Sequence, residues 1–193
     1  QKQVDFLENN PEYSICWTNY LELNVAKSAN LKKPDWNNQI DATQNQSFNL
    51  NTIFSPYCTM TLTTLFRTNA MNMPLLSSLK YTKDNTYYAI CLMEGKGMLL
   101  NFTSAVYRMH EGGIYSKVSA FKQHYFSYLN IKEIIEKIPG CNNKNLQFIK
   151  DDLLFKSVTL YPNHLEIGYW SLLLNSYKFF GIKKTVKTII NKF

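Results

Sequence analysis

The chain has 193 residues, of which 45% are hydrophobic and 15% aromatic, and its formal net charge is +7. This composition predicts a folded domain with its own core and excludes the disordered and fibrous classes of protein. No run of apolar residues approaches the roughly 18 that a membrane-spanning helix requires.

The first quarter of the chain predicts a helix, a strand and a long loop. Residues 1–10 are typical of a helix that ends before Pro11. Because no capping residue precedes this helix, we expect the chain to be cut from a longer protein. Residues 13–23 are rich in β-branched and aromatic side chains and predict a strand or a bent hairpin, and the polar residues 24–47 predict a loop.

The middle of the chain predicts strands on both sides of a helix. Residues 48–54 indicate a short helix, and the alternation of Thr with apolar residues over 58–67 indicates a strand. Asp84 is a favoured N-cap and Gly95 a favoured residue just beyond a helix, so together they predict a helix between them. Residues 98–107 predict a further strand, which a Gly-Gly pair ends.

The last third of the chain predicts helices only. Apolar residues recur at helical spacing over 114–138 and stop at Pro139. A second helix is expected near residues 144–157, and a capping-box pattern opens a third that ends at Gly181. Residues 182–193 form a short basic segment with apolar residues mostly on one helical face.

This order of elements predicts an α/β fold, a mixed sheet with flanking helices, followed by a C-terminal helical extension. We place the boundary between residues 1–116 and a basic extension of residues 117–193. Residues 1–116 hold nine basic and nine acidic residues, whereas residues 117–193 hold twelve and five, so the entire charge excess lies in the extension. An anionic partner and an ordinary solvated helix face both explain this asymmetry.

Three side chains are candidates for chemistry on physical grounds. Asp84, at the start of a helix, would be held and oriented by backbone N–H groups as a general base requires, and a plain helix cap is the alternative. Arg108 and His110 lie between a strand and the Gly-Gly turn, where guanidinium can bind phosphate and imidazole can bind a divalent metal. A structural role is the alternative for His110.

Four segments, in this order, resemble family 2 glycosyltransferases. Residues 1–14 are similar to the segment that follows the Asp-X-Asp metal motif of that family, and residues 59–67 are similar to its Thr/Ser-rich strand ending in a basic residue. Lys83-Asp84 and the helix after them resemble its catalytic-base helix. The run Tyr107-Arg108-Met109-His110-Glu111-Gly112-Gly113 closely resembles its closing motif.

The resemblance implies a partial GT-A-type fold and an inverting transferase, which moves a sugar from a nucleotide-sugar to a hydroxyl of a glycan or lipid-linked acceptor. It implies that Asp84 is the general base and that Arg108 and His110 contact the leaving diphosphate or its metal, with His110 as a metal ligand. Thr63 and Thr64 are implied in the acceptor cleft. A divalent metal, Mg or Mn, is implied as the cofactor of the complete enzyme.

The nucleotide-binding half of the family and its Asp-X-Asp ligands precede the segment that matches residue 1. The resemblance therefore implies a fragment that is inactive by itself. The alternative is a non-catalytic sugar-binding or partner-binding module that retains this half of the fold. We do not expect a nucleic-acid partner, because the lysines are spread along the sequence and clustered arginines are missing.

Two features bear on location. The basic amphipathic residues 182–193 predict contact with an anionic inner-leaflet membrane surface, unless their apolar face packs on the preceding helices. The four cysteines lie far apart without a CxxC pair, which predicts buried free thiols in a reducing compartment. Together with a polar start that does not resemble a signal peptide, these features predict a cytoplasmic protein, with peripheral membrane contact left open.

Overall fold

The computed structural model describes residues 1–25, 30–34, 43–54, 59–113, 117–162, 168–177 and 181. Within these ranges the helices are α1 (Lys2–Asn9), α2 (Met73–Ser77), α3 (Asp84–Met93), α4 (Ala120–Lys137) and α5 (Lys144–Thr159), and residues 168–177 are also helical. The strands are β1 (Tyr13–Asn24), β2 (Leu31–Lys32), β3 (Gln46–Phe48), β4 (Leu65–Phe66) and β5 (Lys96–Met109). Short 3₁₀ turns cover Thr61–Thr63 and Thr68–Ala70.

The two long strands, β1 and β5, run parallel at the centre of one sheet. The strand order is β2-β1-β5-β3, and β4 also pairs with β1. The three short strands are all antiparallel to their neighbours, so the sheet is mixed. Because parallel neighbours need a long crossover, the chain passes through α2 and α3 before it returns as β5. This arrangement confirms the predicted α/β class, and it shows that β1 is a single strand and not a hairpin.

The main buried cluster lies between one face of the sheet and the helices α3, α4 and α5. Trp17 of β1 is completely buried and packs edge-to-face on Tyr88 of α3, with their ring centroids 5.1 Å apart. Ile134 of α4 and Leu146 of α5 belong to the same cluster. The boundary predicted after residue 116 stays a prediction, and elements from both sides of it share this core.

The opposite face of the sheet is covered by α1. Leu7 of this helix packs with Cys16 and Leu100, which alternate with the side chains that face the main cluster. Cys16, Cys91 and Cys141 are buried free thiols, as predicted, and burial raises the pKa of Cys16 to about 11. Cys58 lies outside the described residues.

Several predicted helices are confirmed with small changes at their ends. α3, α4 and α5 lie where the sequence indicated, and α4 ends before Pro139. Ser119 caps α4 and Asn143 caps α5, each with a side-chain oxygen that accepts a backbone N–H. Gly95 follows α3, and a Cβ at this position would come within 2.9 Å of the Glu12 carbonyl oxygen, so the helix end can approach β1 closely.

The helix predicted over residues 48–54 is wrong. Phe48 is the last residue of β3, where it pairs with Gly97, and residues 50–54 form turns. Residues 24–47, predicted as one polar loop, include the end of β1, all of β2 and most of β3.

The strand predicted over residues 58–67 is mostly wrong as well. The hydroxyls of Thr63 and Thr64 donate to the Met60 carbonyl oxygen at 3.1 and 3.0 Å. These local bonds favour a turn over an extended strand, and only the short β4 follows.

Two predictions concern segments that are described only in part or not at all. The third helix of the C-terminal region is present over residues 168–177, whereas its expected capping pair, Asn163 and Glu166, lies outside the described residues. Residues 182–193 lie outside them too. Among the described helices, none combines the length and the apolar character needed to cross a bilayer.

Candidate functional site

A cavity of about 730 Å³ lies where the start of α3 meets α4, α5 and the Thr61–Thr63 turn. Its apolar lining comes from distant parts of the chain and includes Phe54, Tyr107, Ile131 and Leu153. Its polar lining consists of Thr61, Lys83, Asp84, Asn85, His124 and Ser127. A concave, largely apolar site with a few polar groups is the usual form of a small-molecule site.

Asp84 is the first residue of α3 and lies half-buried on the wall of this cavity. It is not the N-cap, as the sequence had suggested, because Lys83 occupies that position. The helix start is closed by Thr86, whose N–H donates to the Lys83 carbonyl oxygen at 2.9 Å and whose hydroxyl accepts the Lys83 N–H at 3.2 Å. Asp84 therefore lies in the first turn of α3, on the cavity wall, but its carboxylate does not cap the helix.

Lys83 brings a cation to the same wall. Its ammonium donates to the Ser127 hydroxyl of α4 at 2.8 Å. Burial lowers the pKa of Lys83, and the neighbouring Asp84 carboxylate opposes that shift. The cavity thus places opposite charges side by side at the start of a helix.

His124 of α4 also lines the cavity. Burial and the nearby charge of Lys156 lower the pKa of His124, which favours its neutral form. A neutral imidazole can accept or donate a hydrogen bond to a ligand hydroxyl. In the sequence His124 lies within a predicted helix and far from the other candidate site residues. The sequence therefore did not indicate that His124 lies close to Asp84.

The two threonines expected in the acceptor cleft are turned toward the protein. Thr63 is buried, and Thr64 donates to the Tyr88 hydroxyl at 3.4 Å in addition to its bond with Met60. The residue of this turn that joins Asp84 on the cavity wall is Thr61. Burial raises the pKa of Tyr88, so its phenol stays protonated near neutral pH.

Arg108 and His110 lie at the far end of β5 and are both exposed. Tyr107 lines the cavity, and because neighbouring strand residues point to opposite faces, Arg108 points away from it. The structure therefore does not bring Arg108 into the same cavity as Asp84. His110 closes a tight turn through its carbonyl oxygen, which accepts the Gly113 N–H at 3.1 Å.

The metal implied by the family resemblance does not find its ligands in the described part of the chain. No group of three or more His, Cys, Asp or Glu side chains converges there. His110 is exposed, and no acidic side chain of the described ranges joins it in such a group. We therefore derive no chemical step through a metal from these residues.

Two residues of α4 hold the segment that leads into α3. The Glu133 carboxylate accepts the backbone N–H of Tyr81 at 2.7 Å and that of Lys80 at 2.9 and 3.0 Å. The Asn130 amide donates to the Tyr81 carbonyl oxygen at 2.6 Å and to the Thr86 hydroxyl at 2.7 Å. Through these bonds α4 fixes where the first turn of α3, and with it Asp84, lies.

Glu133 is buried, yet it stays ionised. Burial opposes its charge, but the Lys137 ammonium at 2.8 Å and the two backbone N–H groups outweigh it and hold the pKa of Glu133 below its usual value. Sequence reasoning missed both Asn130 and Glu133. The sequence carried no clear signal for them, since both fall on the side of the predicted helix away from the apolar stripe of Tyr125, Tyr128 and Ile135.

No protein-family model matches the chain, and neither the curated proteins nor the solved structures contain a match.

Proposed function

We propose that this chain is the acceptor-side half of an inverting, nucleotide-sugar-dependent glycosyltransferase with a partial GT-A-type fold. In this proposal the cavity beside α3 receives the acceptor, a glycan or a lipid-linked molecule with a free hydroxyl. Asp84 is the general base. The nucleotide-sugar donor, a Mg or Mn ion and the residues that bind them belong to the complete enzyme.

The observation that carries this proposal is the position of Asp84 on the cavity wall at the start of α3. The hydrogen bonds of Asn130 and Glu133 to Tyr81 and Thr86 fix the backbone that carries Asp84, and a positioned carboxylate is what proton transfer in a transition state requires. The apolar lining from Tyr107, Ile131 and Leu153 limits water around an acceptor. These features suit a base that acts on a bound hydroxyl.

The proposed step is a single displacement. Asp84 takes the proton of the acceptor hydroxyl while the hydroxyl oxygen forms a bond to the anomeric carbon of the donor sugar. The bond from that carbon to the diphosphate oxygen breaks, and its electron pair leaves with the diphosphate. Because the oxygen attacks from the side opposite the leaving group, the anomeric configuration inverts.

Replacement of Asp84 in the complete enzyme tests the proposal. We expect Asp84→Asn to lower the transfer rate by about 10²–10⁴-fold, the usual contribution of a positioned general base, with the fold unchanged. Glu136→Gln, at an exposed acid of α4 that does not line the cavity, is the matched control and should retain activity. Transfer is measured with radiolabelled donors on a variant whose folding has been confirmed. Near-normal transfer by Asp84→Asn would show that Asp84 is not the general base.

The role of His110 needs a separate test, because its side chain lies outside the cavity. If it contacts the diphosphate or its metal in the complete enzyme, His110→Ala should weaken the dependence of transfer on metal or nucleotide concentration. An unchanged dependence makes His110 a structural residue of the turn at Gly113. The 193-residue chain alone should show no transfer, and detectable turnover by it would contradict the fragment proposal.

One observation favours a second candidate, a non-catalytic sugar-binding or partner-binding module. Asp84 and Arg108, the two charged residues expected to share an active site, do not line the same cavity. A module of this kind would bind a sugar in the cavity without turning it over. Titration of the chain with oligosaccharides, followed by NMR of the Thr61 and Tyr107 signals, would show saturable binding that Asp84→Asn leaves intact.

A further inference from the structure

We propose that the exposed apolar stripe formed by Trp170, Leu174 and Tyr177 docks the protein on an anionic membrane surface. This inference does not depend on the proposed transferase activity. It concerns a different surface from the cavity beside α3, and it is tested without any activity assay.

The stripe is a regular feature of the helical segment over residues 168–177. Trp170, Leu174 and Tyr177 are separated by four and three residues, so they lie on one side of the helix. Their exposed fractions are 42%, 66% and 44%. Three neighbouring large apolar side chains in solvent are unusual on the surface of a monomer and indicate a contact surface.

The orientation of this helix is fixed by the adjacent face, which lies about 100° around the helix from the stripe. Tyr169 and Leu173 are buried and pack with Val158 at the end of α5. The Tyr169 ring lies 5.9 Å from that of Tyr161, centroid to centroid, and Ser176 is buried on the same side. Because one side is anchored in the protein, the stripe cannot turn inward without breaking this packing.

The residue types on the stripe suit the interface between water and lipid. Trp and Tyr combine an apolar ring with one polar group and favour the level of the lipid headgroups. Leu174, the most exposed of the three, adds an aliphatic side chain that can enter the acyl boundary. No charged residue lies within residues 168–177, so insertion would not bury a charge.

The positive charge of residues 178–193 favours an anionic surface over a neutral one. Residues 168–193 contain five lysines, Lys178, Lys183, Lys184, Lys187 and Lys192, and no Asp or Glu. Lysines near an anionic leaflet each add attraction, and an apolar anchor and a basic segment together give stable but reversible binding. The stripe and the lysines follow one another directly in the sequence.

A second copy of the chain fits this surface less well. A stable protein–protein interface buries about 800 Å² on each partner, which is about 20–30 residues, and the stripe provides three large side chains. Residues 168–193 also carry five lysines and no acidic residue, and like charge in this part of the sequence opposes the association of two copies.

Vesicle co-sedimentation of the full chain tests the proposal. We expect the protein to pellet with phosphatidylcholine vesicles that contain about one-third phosphatidylglycerol, to stay in solution with phosphatidylcholine alone, and to be released by added salt. Leu174→Asp should weaken partition by about tenfold or more, because it replaces the most exposed apolar side chain with a charge that the lipid repels. Phe148→Asp on α5 is the matched control, since Phe148 is 68% exposed, and it should bind as the wild type does.

Two further variants separate the apolar and electrostatic contributions. Replacing Lys183, Lys184, Lys187 and Lys192 with Gln should weaken binding to anionic vesicles by about tenfold or more and flatten its salt dependence. Trp170→Phe, made in a Trp36→Phe background so that Trp17 is the only remaining tryptophan, should keep binding but remove most of the blue shift in tryptophan emission that accompanies it, because Trp17 is already buried.

Equal partition of Leu174→Asp and wild type overturns the proposal, as does equal binding to neutral and anionic vesicles. A wild-type dimer in sedimentation velocity that Leu174→Asp converts to a monomer, with no pelleting by either, assigns the stripe to a second copy and also overturns it. Circular dichroism of each variant confirms that the fold is intact before binding is compared.

Discussion

At the scale of single residues, Glu133 shows how one buried carboxylate can organise a site that it does not line. It accepts two consecutive backbone N–H groups, from Lys80 and Tyr81, and it is paired with Lys137. The same Lys137 ammonium donates to the Ser78 carbonyl oxygen at 3.0 Å. A side chain on α4 therefore satisfies backbone groups that would otherwise be left unpaired in front of α3.

Replacing Glu133 with Gln should lower the free energy of unfolding at neutral pH by about 1–3 kcal/mol, since the amide nitrogen that replaces one oxygen cannot accept the Lys137 ammonium, and the charge that strengthens the remaining bonds is lost. The folded-state pKa of Glu133 lies below its ordinary value of 4.5, so its stabilisation is complete above that pH and is lost as the pH falls through the folded-state pKa. Urea denaturation over a range of pH measures this difference.

Glu136→Gln is the matched control, one turn further along α4. Glu136 is 53% exposed and pairs with Lys132, so its replacement should change stability by less than about 0.5 kcal/mol at any pH. A cost for Glu133→Gln that stays the same at acid and neutral pH would show that packing, and not the carboxylate, is responsible.

At the scale of secondary-structure elements, local signals explain which predictions succeeded. The caps at Ser119 and Asn143 and the stop at Pro139 are properties of neighbouring residues, so α4 and α5 could be predicted from the sequence. β3 could not, because Phe48 is extended only by pairing with Gly97, which lies 49 positions further along the chain.

The candidate site also combines features that neighbouring residues determine with features that depend on contacts between distant parts of the chain. Asp84 was predicted because a helix start is a local pattern, whereas the cavity around it depends on how α4 and α5 cross α3. His124 and Ser127 join Asp84 only through that crossing. Thr61 was missed in favour of Thr63 and Thr64, since a 3₁₀ turn and not a strand decides which hydroxyl faces the cavity.

The cap of α5 offers a prediction at this scale. The Asn143 side-chain oxygen accepts the Leu146 N–H at 2.9 Å, whereas its buried amide nitrogen has no hydrogen-bond partner among the residues that the structure describes. We expect Asn143→Ala to destabilise the protein by about 1 kcal/mol and Asn143→Ser to keep stability, because Ser retains a capping oxygen and removes the unpaired donor.

Thermal or urea unfolding monitored by circular dichroism compares the two Asn143 variants. Lys144→Ala, an exposed change at the next position, serves as the control and should have little effect. Equal losses for Asn143→Ala and Asn143→Ser would show that the cap is not what Asn143 contributes.

At the scale of the whole molecule, residues 1–116 and the helices after them pack around one set of buried side chains. Ile131 and Ile134 of α4 lie in the same cluster as Trp17 of β1 and Tyr88 of α3. A shared core of this kind favours unfolding in one step, although the change in charge at residue 116 had suggested two units.

Truncation of one of these side chains tests that cooperativity. We expect Ile134→Ala to lower the free energy of unfolding by about 2–5 kcal/mol, and Ile134→Val by about 0.5–1.5 kcal/mol. Tryptophan fluorescence and far-ultraviolet circular dichroism should report the same shifted urea midpoint. Two separate transitions, of which only one moves with Ile134→Ala, would support a division of the chain after residue 116.

The parallel pairing of β1 with β5 has a consequence for how the chain is made. Ser14 and Lys96, which meet in the folded sheet, are 82 positions apart. During synthesis on the ribosome β1 therefore emerges long before β5, its parallel neighbour in the sheet. Until β5 is made, the apolar side chains of β1, including Trp17, stay exposed to solvent. We therefore expect β1 to be a segment of the nascent chain to which chaperones bind.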